Sequence, residues 1–276
     1  MRLALTLALL VTHMSFADDP SSAAPPEAPP PDTASVLRVY DGDTLTIHTG
    51  DPVRLRWVNT TEMRPLEDYA EEARDVAAAF VSGKQIMLAY GDPVRDGYGR
   101  LIASVVVDGK SLEQELLERG LAHIMLIPPV EDDLDALFEA QKKARDARLA
   151  LWSTEHFRGT LHITSFHANG AGNDRADPNV EYLRVCNITD EPLALRGYSI
   201  TNIRKQRFPF PDITIPAGHT VEVHSGQGPH QTDPRAQLEI HLGSDHPIWN
   251  NDRDLATIWD AQGQKVDERL HEVKGK

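Results

Sequence analysis

Three short alternating runs in quick succession, Val36–Tyr40, Thr44–His48 and Val53–Val58, constrain this chain more than any other feature. Each has the period of a strand with one buried face, and the gaps between them leave room only for tight turns. The first turn, Asp41-Gly42-Asp43-Thr44, sets two carboxylates close together where a strand ends, and such a pair suits a hard cation. Arg54 lies on the third run, Asn59-Thr60-Thr61-Glu62 follows it, and Arg100 closes Asp96-Gly97-Tyr98-Gly99-Arg100. A cation to screen a phosphate, an acid to serve as base and guanidinium forks for developing charge are the ingredients of phosphodiester hydrolysis.

The pattern that follows predicts a helix over Leu66–Ser82, with Ala70, Ala73, Val76, Ala77 and Phe80 on one face and Gly83 as its stop. Strands Gln85–Tyr90 and Leu101–Val107 come next, then a helix opened by the capping box Ser111-Leu112-Glu113-Gln114, and a last helix over Glu131–Leu151. Five strands with helices after the third and fifth predict a mainly β fold with some α, a five-stranded barrel of the OB type. Beyond Trp152 the runs become short strands separated by turns: Leu161–Phe166, Tyr182–Val185, Tyr198–Ile200, Thr220–Val223 and Leu255–Trp259. Their spacing predicts a C-terminal immunoglobulin-like β-sandwich.

The opening residues give the chain an address. Arg2 precedes the apolar run Leu3–Val11, and Ser15-Phe16-Ala17 then leads into Asp18-Asp19. Residues 1–17 thus read as a cleavable export signal, cut after Ala17, with a secreted or periplasmic product that keeps no transmembrane segment. Residues 18–35, rich in proline, alanine and serine, read as a disordered linker. Cys186 is the only cysteine, so an intramolecular disulfide is excluded and a buried thiol is expected. Net charge is −14, and residues 36–152 carry 14 basic against 21 acidic side chains. Bulk charge cannot draw such a chain to nucleic acid, so any affinity must come from a bound cation and local arginines.

The residues Asp41-Gly42-Asp43-Thr44, Val53-Arg54-Leu55, Glu62, Asp96-Gly97-Tyr98-Gly99-Arg100, Gly120-Leu121-Ala122 and the Gln141–Trp152 segment stand in an order and spacing that resemble the staphylococcal nuclease (thermonuclease) family. The resemblance covers residues 36–152 and implies an OB-type barrel that hydrolyses DNA or RNA with calcium. It assigns Asp43 as a direct calcium ligand with Asp41 beside it, Glu62 as general base, and Arg54 and Arg100 as the groups that hold the phosphate. Asn59 stands where the family has a second carboxylate ligand, offering a carbonyl oxygen without charge. Thr61 replaces a proline, Gly97 a lysine, and Leu126 and Pro128 stand where the family has tyrosines, leaving Tyr98 as the candidate nucleotide contact.

Residues 159–268 resemble a second family, the lamin-tail domain, through Leu161-His162-Ile163, Glu181-Tyr182, Asn187, Leu195-Arg196-Gly197-Tyr198, Phe208-Pro209-Phe210-Pro211, Ile215-Pro216-Ala217-Gly218 and Trp249-Asn250-Asn251-Asp252. Those residues specify a fold rather than a chemistry. The spacing of His219, His224, His230, His241 and His246 matches no standard zinc pattern. The expectation is an exported calcium-dependent nuclease of low sequence specificity, with the sandwich as an accessory module that binds a surface, a polymer or a protein. The alternative is a catalytically weakened barrel that binds nucleic acid or a surface.

Overall fold

In the computed structural model, which describes residues 29–170 and 173–273, the alternating runs of the first half close on themselves. Strands β1 (Thr33–Val39), β2 (Thr44–Ile47) and β3 (Pro52–Leu55) form an antiparallel meander. A short strand β4 (Val58–Asn59) and helix α1 (Ala70–Val81) follow, and β5 (Gln85–Arg95) then returns beside β1. Strand β6 (Leu101–Val107) pairs with β5 and runs parallel to β3, so the order β3-β2-β1-β5-β6 closes into a five-stranded barrel. Alternation fills it: Leu101, Ala103, Val105 and Val107 are buried while Ile102, Ser104 and Val106 are half-buried on the other face.

Several boundaries differ from the sequence expectation for local reasons. The export signal expected over residues 1–17 and most of the expected linker lie outside the described residues. Within the linker's last residues, Thr33, Ala34 and Ser35 already belong to β1, where they pair with Met87, Ile86 and Gln85. The run expected as one strand over Val53–Val58 breaks at Trp57, whose φ of 65° is left-handed, and β4 instead pairs with β8 (His123–Ile124). Helix α1 begins at Ala70 rather than Leu66, because Glu67 is tied back to Glu62 and Tyr69 takes a left-handed φ of 63°.

A two-residue strand β7 (Lys110–Ser111) leads into helix α2 (Leu112–Glu118), where half of the capping box forms. The Gln114 N–H donates to Ser111 Oγ (3.2 Å), but the Gln114 side chain reaches forward to Glu118 rather than back to Ser111. Helix α3 covers only Asp135–Asp146, since Arg148 and Ala150 take left-handed φ values and turn Trp152 inward on a short 3-10 turn.

The second half is a two-sheet sandwich. One sheet has the order β16-β15-β10-β9, from β9 (Leu161–His167), β10 (Tyr182–Asn187), β15 (Thr220–His224) and β16 (Leu238–His241). The other has the order β13-β12-β17-β18, from β12 (Ser199–Thr201), β13 (Arg207–Pro209), β17 (Arg253–Trp259) and β18 (Lys265–Glu272). A small pair, β11 (Leu193–Ala194) and β14 (Thr214–Ile215), stands at one side. Between the sheets lie Leu161, Ile163, Leu183, Val221, Ile240, Ala256 and Ile258, all buried. Among the described residues no helix is long and apolar enough to cross a membrane.

Asp32 onward is one compact unit, and the join between barrel and sandwich explains why. Ala144, Leu151, Trp152, Phe157, Cys186 and Ile188 form a third apolar cluster, with Tyr69 and Met125 packed against it. Main-chain bonds cross there as well: Leu126 N–H donates to Gly218 O (2.8 Å) and Thr220 N–H to Leu126 O (3.2 Å). Gly218 is required at that crossing, since its φ is +71° and a Cβ would sit 2.7 Å from Ile124 and 3.2 Å from Phe138. Cys186 is buried in this layer, its Sγ pointing at Ile124 O (3.4 Å), and burial pushes its thiol up. Leu126, at a position where the resemblance implies a tyrosine, is therefore part of the join.

Candidate active site

The turn between β1 and β2 lies against α1 because Gly42 has no side chain: a Cβ there would meet Thr60 at 2.6 Å and Ala73 at 2.8 Å. That close approach buries both neighbouring carboxylates, leaving Asp41 7% and Asp43 6% exposed. Asp41 Oδ1 accepts from the Asp43 N–H (3.1 Å), and no hydrogen bond reaches Oδ2 among the described residues. Asp43 is saturated. Its Oδ2 accepts from the Thr60 N–H (2.8 Å) and hydroxyl (3.1 Å), and its Oδ1 accepts from Thr44 Oγ1 (3.1 Å) and lies 3.2 Å from Arg54 Nε.

Arg54 stands opposite Thr44 on β3, with its side chain almost buried. Its NH1 donates to Leu55 O (2.6 Å) and Val58 O (2.8 Å), and NH2 donates to Asn59 Oδ1 (3.0 Å). One N–H of the fork is left without a partner among the described residues, available to a phosphate oxygen. Asn59 lies beside this fork. Its amide oxygen, proposed from sequence for calcium, is held by Arg54, and its Nδ2 faces His123 Nε2 at 3.4 Å. The His123 Nδ1 lies 2.9 Å from Ile124 O, which can only accept, so Nδ1 carries the proton and Nε2 presents its lone pair to Asn59. Burial first, and then His162 and Arg54, push the His123 imidazole down to about 3, so the ring stays neutral.

Glu62 sits in the irregular loop between β4 and α1, half-buried. Burial first, then the Asp43 and Glu67 carboxylates, raise its carboxyl above the ordinary value. Asp41 is pushed up to about 7 by burial, by Asp43 and, more weakly, by Glu62. Asp41, Asp43, Arg54 and Glu62 are thus brought together, and acids outnumber the arginine. A hard cation would neutralise that excess, and the carboxylate oxygens offered by Asp41 and Asp43 suit one. Among the described residues no three His, Cys, Asp or Glu side chains converge at metal-ligand spacing. The sandwich histidines stack instead, His224 on His241 at 5.1 Å, with both Nδ1 atoms directed at Asn179.

The second arginine arrives from the neighbouring strand. Arg100 precedes Leu101, which pairs with Val53, and Asp96 Oδ2 accepts from its Nε at 2.7 Å. No hydrogen bond joins Arg100 to the Asp43 group among the described residues. Its guanidinium lies over the Tyr98 ring (5.5 Å), and Tyr98, 74% exposed, has its hydroxyl near enough to Tyr182 of β10 to act on it.

Sequence reasoning missed the surroundings of Glu62. The loop of residues 61–68 forms one wall of a cleft of about 1310 Å³ whose other wall belongs to the sandwich, through Phe157, His162, Phe166 and Arg269. Of the residues lining it, His156, His162 and Ile163 meet at the buried Asp267 carboxylate, whose Oδ2 accepts from the Ile163 N–H (2.7 Å) and whose Oδ1 lies 3.1 Å from His156 Nδ1. His162 Nδ1 also lies 3.0 Å from Oδ2, off the hydrogen-bonding line. Burial alone would raise the Asp267 carboxyl, but His162, His156 and that N–H hold it well below its usual range. Nothing local in the sequence marks Arg269 or Asp267, which occupy an ordinary charged strand.

Comparison with known proteins places this geometry. Residues 52–154 match the family model of the staphylococcal nuclease homologues, and residues 154–272 that of the lamin tail domain. Endonuclease YncB of Bacillus subtilis is 35% identical over 126 residues, 42% of this chain and 59% of that protein. The SPbeta prophage-derived endonuclease YokF of the same organism is 33% identical over 126 residues, 42% of each chain, so the match spans about half the length of these two relatives. An uncharacterized endonuclease of Escherichia coli is 32% identical over 120 residues, 43% of this chain and 75% of that protein.

Proposed function

This chain belongs to the staphylococcal nuclease family, with a lamin tail domain after the barrel, and we propose that it is an exported, calcium-dependent nuclease cleaving DNA and RNA with little sequence preference. The observation that carries the reading is the convergence of Asp41, Asp43, Arg54 and Glu62 at one mouth of the barrel, with more acid than the arginine balances. Carboxyls raised by burial and by neighbouring acids, as Asp41 and Glu62 are, mark a site suited to a cation or to proton transfer.

Asp43 and Asp41 would hold calcium, which supplies charge neutralisation at a phosphate when bound. Glu62, raised above its ordinary value, is suited to take a proton from water. The remaining N–H of Arg54 would donate to the phosphate, and Arg100, a third exposed beside Asp96, would supply a second guanidinium on exchanging that carboxylate for the substrate. Export follows the signal pattern of residues 1–17.

The test is cleavage of single-stranded DNA and of RNA by the purified chain, with calcium and with a chelator, beside a Glu62→Gln variant. Calcium-dependent cleavage that the variant loses is the expected result; absence of cleavage by the folded wild-type chain at high calcium would sink the nuclease.

A second reading, a barrel that binds nucleic acid without efficient cleavage, is favoured by one observation: Arg54 gives most of its donors to Asp43, Asn59 and the backbone. Asn59→Asp separates the two. A large gain of cleavage marks a weakened nuclease, whereas binding without cleavage in both forms marks the second reading.

A further inference from the structure

The loop that carries Glu62 has little regular structure of its own. Between β4 and α1 its one backbone pairing is an isolated bridge from Met63 to Leu66. A glutamate on such a segment cannot aim at a water molecule unless something else fixes it. Glu67 does part of this. Its N–H donates to Glu62 O (2.9 Å), and its Oε2 accepts from the Glu62 N–H (2.9 Å), so the two residues clasp each other through main chain and carboxylate.

The clasp has a second attachment, and it lies in the sandwich. Glu67 Oε1 accepts from Arg269 NH2 at 2.8 Å, across 202 residues of sequence. Arg269 NH1 donates to Ile163 O on β9 (3.0 Å), and its own backbone is fixed on β18 opposite Ala256. The guanidinium therefore bridges a rigid sheet and the one carboxylate that holds the Glu62 backbone. It is also among the charges that act on the Glu62 carboxyl.

We propose that Arg269 is a positioning residue for Glu62, acting through Glu67, so that the sandwich completes the catalytic unit of the barrel. The proposal rests on the reading of Glu62 as the base. It accounts for a cleft around Glu62 whose far wall is sandwich, and for the choice of arginine, whose fork reaches Ile163 O and Glu67 at once where a lysine offers a single point charge.

A partly exposed ion pair contributes little to stability, so the signature of this role is kinetic. In the full chain, with calcium and a single-stranded DNA oligonucleotide, Arg269→Ala and Glu67→Ala each lower kcat about tenfold to a hundredfold with KM nearly unchanged. The double variant is no worse than the poorer single variant, and Arg269→Lys recovers part of the loss. Amide hydrogen exchange at Glu62 quickens in Arg269→Ala while the melting midpoint stays where it was. Full kcat in Arg269→Ala, additive losses in the double variant, or a kcat loss matched by a fall in the melting midpoint would each overturn the proposal. A wild-type chain that cleaves neither DNA nor RNA sinks the nuclease reading and this inference together, whereas an active wild type with an indifferent Arg269→Ala sinks the inference alone.

Discussion

Two groups of buried carboxylates in this chain meet opposite fates. At the barrel mouth Asp41 and Asp43 share one turn, Glu62 lies near enough to act on Asp41, Arg54 pairs with Asp43, and Asp41 is pushed up to about 7. At the join Asp267 is at least as buried, yet two histidines and a backbone N–H hold it well below its usual range. Burial is common to both, so burial does not decide the outcome. What decides is whether the fold supplies enough positive partners: where it does, the carboxylate is a fastener, and where it does not, the carboxyl rises and leaves room for the cation that the proposed function requires.

The sharpest way to break that contrast is to remove one carboxylate from each group. Asp43→Ala removes the centre of the unbalanced group and is expected to lower calcium-dependent cleavage about a thousandfold. The chain stays folded by circular dichroism. Retention of calcium-dependent activity in that variant would place the cation elsewhere.

Asp267→Ala does the reverse. It is expected to lower stability by about 2–4 kcal/mol in urea titrations at neutral pH, because the Ile163 N–H is left buried without an acceptor. Its cleavage per folded molecule changes far less than that of Asp43→Ala. Because the folded Asp267 sits below its ordinary value of 3.8, this contribution is present above that value and fades as pH falls through and below it.

A third carboxylate sharpens the comparison from a position with no function. Glu113 is buried between α2 and β6, accepting from the Val105 N–H and the Ser111 hydroxyl, and burial pushes it up to about 7. The folded chain keeps a proton there that the unfolded chain releases, so stability falls as pH rises from about 4.5 to 7. Glu113→Gln is expected to remove that slope, worth about 1–3 kcal/mol across the window. A slope unchanged in the variant would assign it to another group.

The smallest effect belongs to His156, half-exposed on Asp267. The hydrogen bond to Asp267 raises its imidazole, so its contribution is complete below 6.5 and disappears as pH rises through the raised value. His156→Gln should flatten a shallow stability decline above neutrality, read from melting curves at several pH values.

The same two groups show how far the sequence could be read. Asp41, Asp43, Arg54 and Glu62 lie within one stretch of chain, joined by tight turns, so the strand period and the turn residues carried them to one place. The barrel was legible for the same reason: its strands follow one another and their alternation has a single buried face. The junction was not. Arg269, Asp267, Ile163 and Glu67 meet only because β18, β9 and a barrel loop are brought together by tertiary packing, and no spacing along the chain encodes that. Boundaries slipped where one residue took a left-handed conformation, as at Trp57 and Tyr69, because apolar period says nothing about φ. The partners of Asn59 were hidden for a related reason. Its partner His123 comes from β8, and only the β4–β8 pairing shows whose hydrogen bonds its amide completes.

The segment between Trp152 and Leu161 looks in sequence like a place to cut the chain in two. In the fold Trp152 and Phe157 are buried in the third cluster, and the backbone at Gly159 presses on Val266 too closely to admit a side chain. In a chain exported as proposed, these buried anchors would make the seam between its halves slower to cut than a free linker. Natural breakdown would then begin at loop tips, and a free barrel would not be among the fragments.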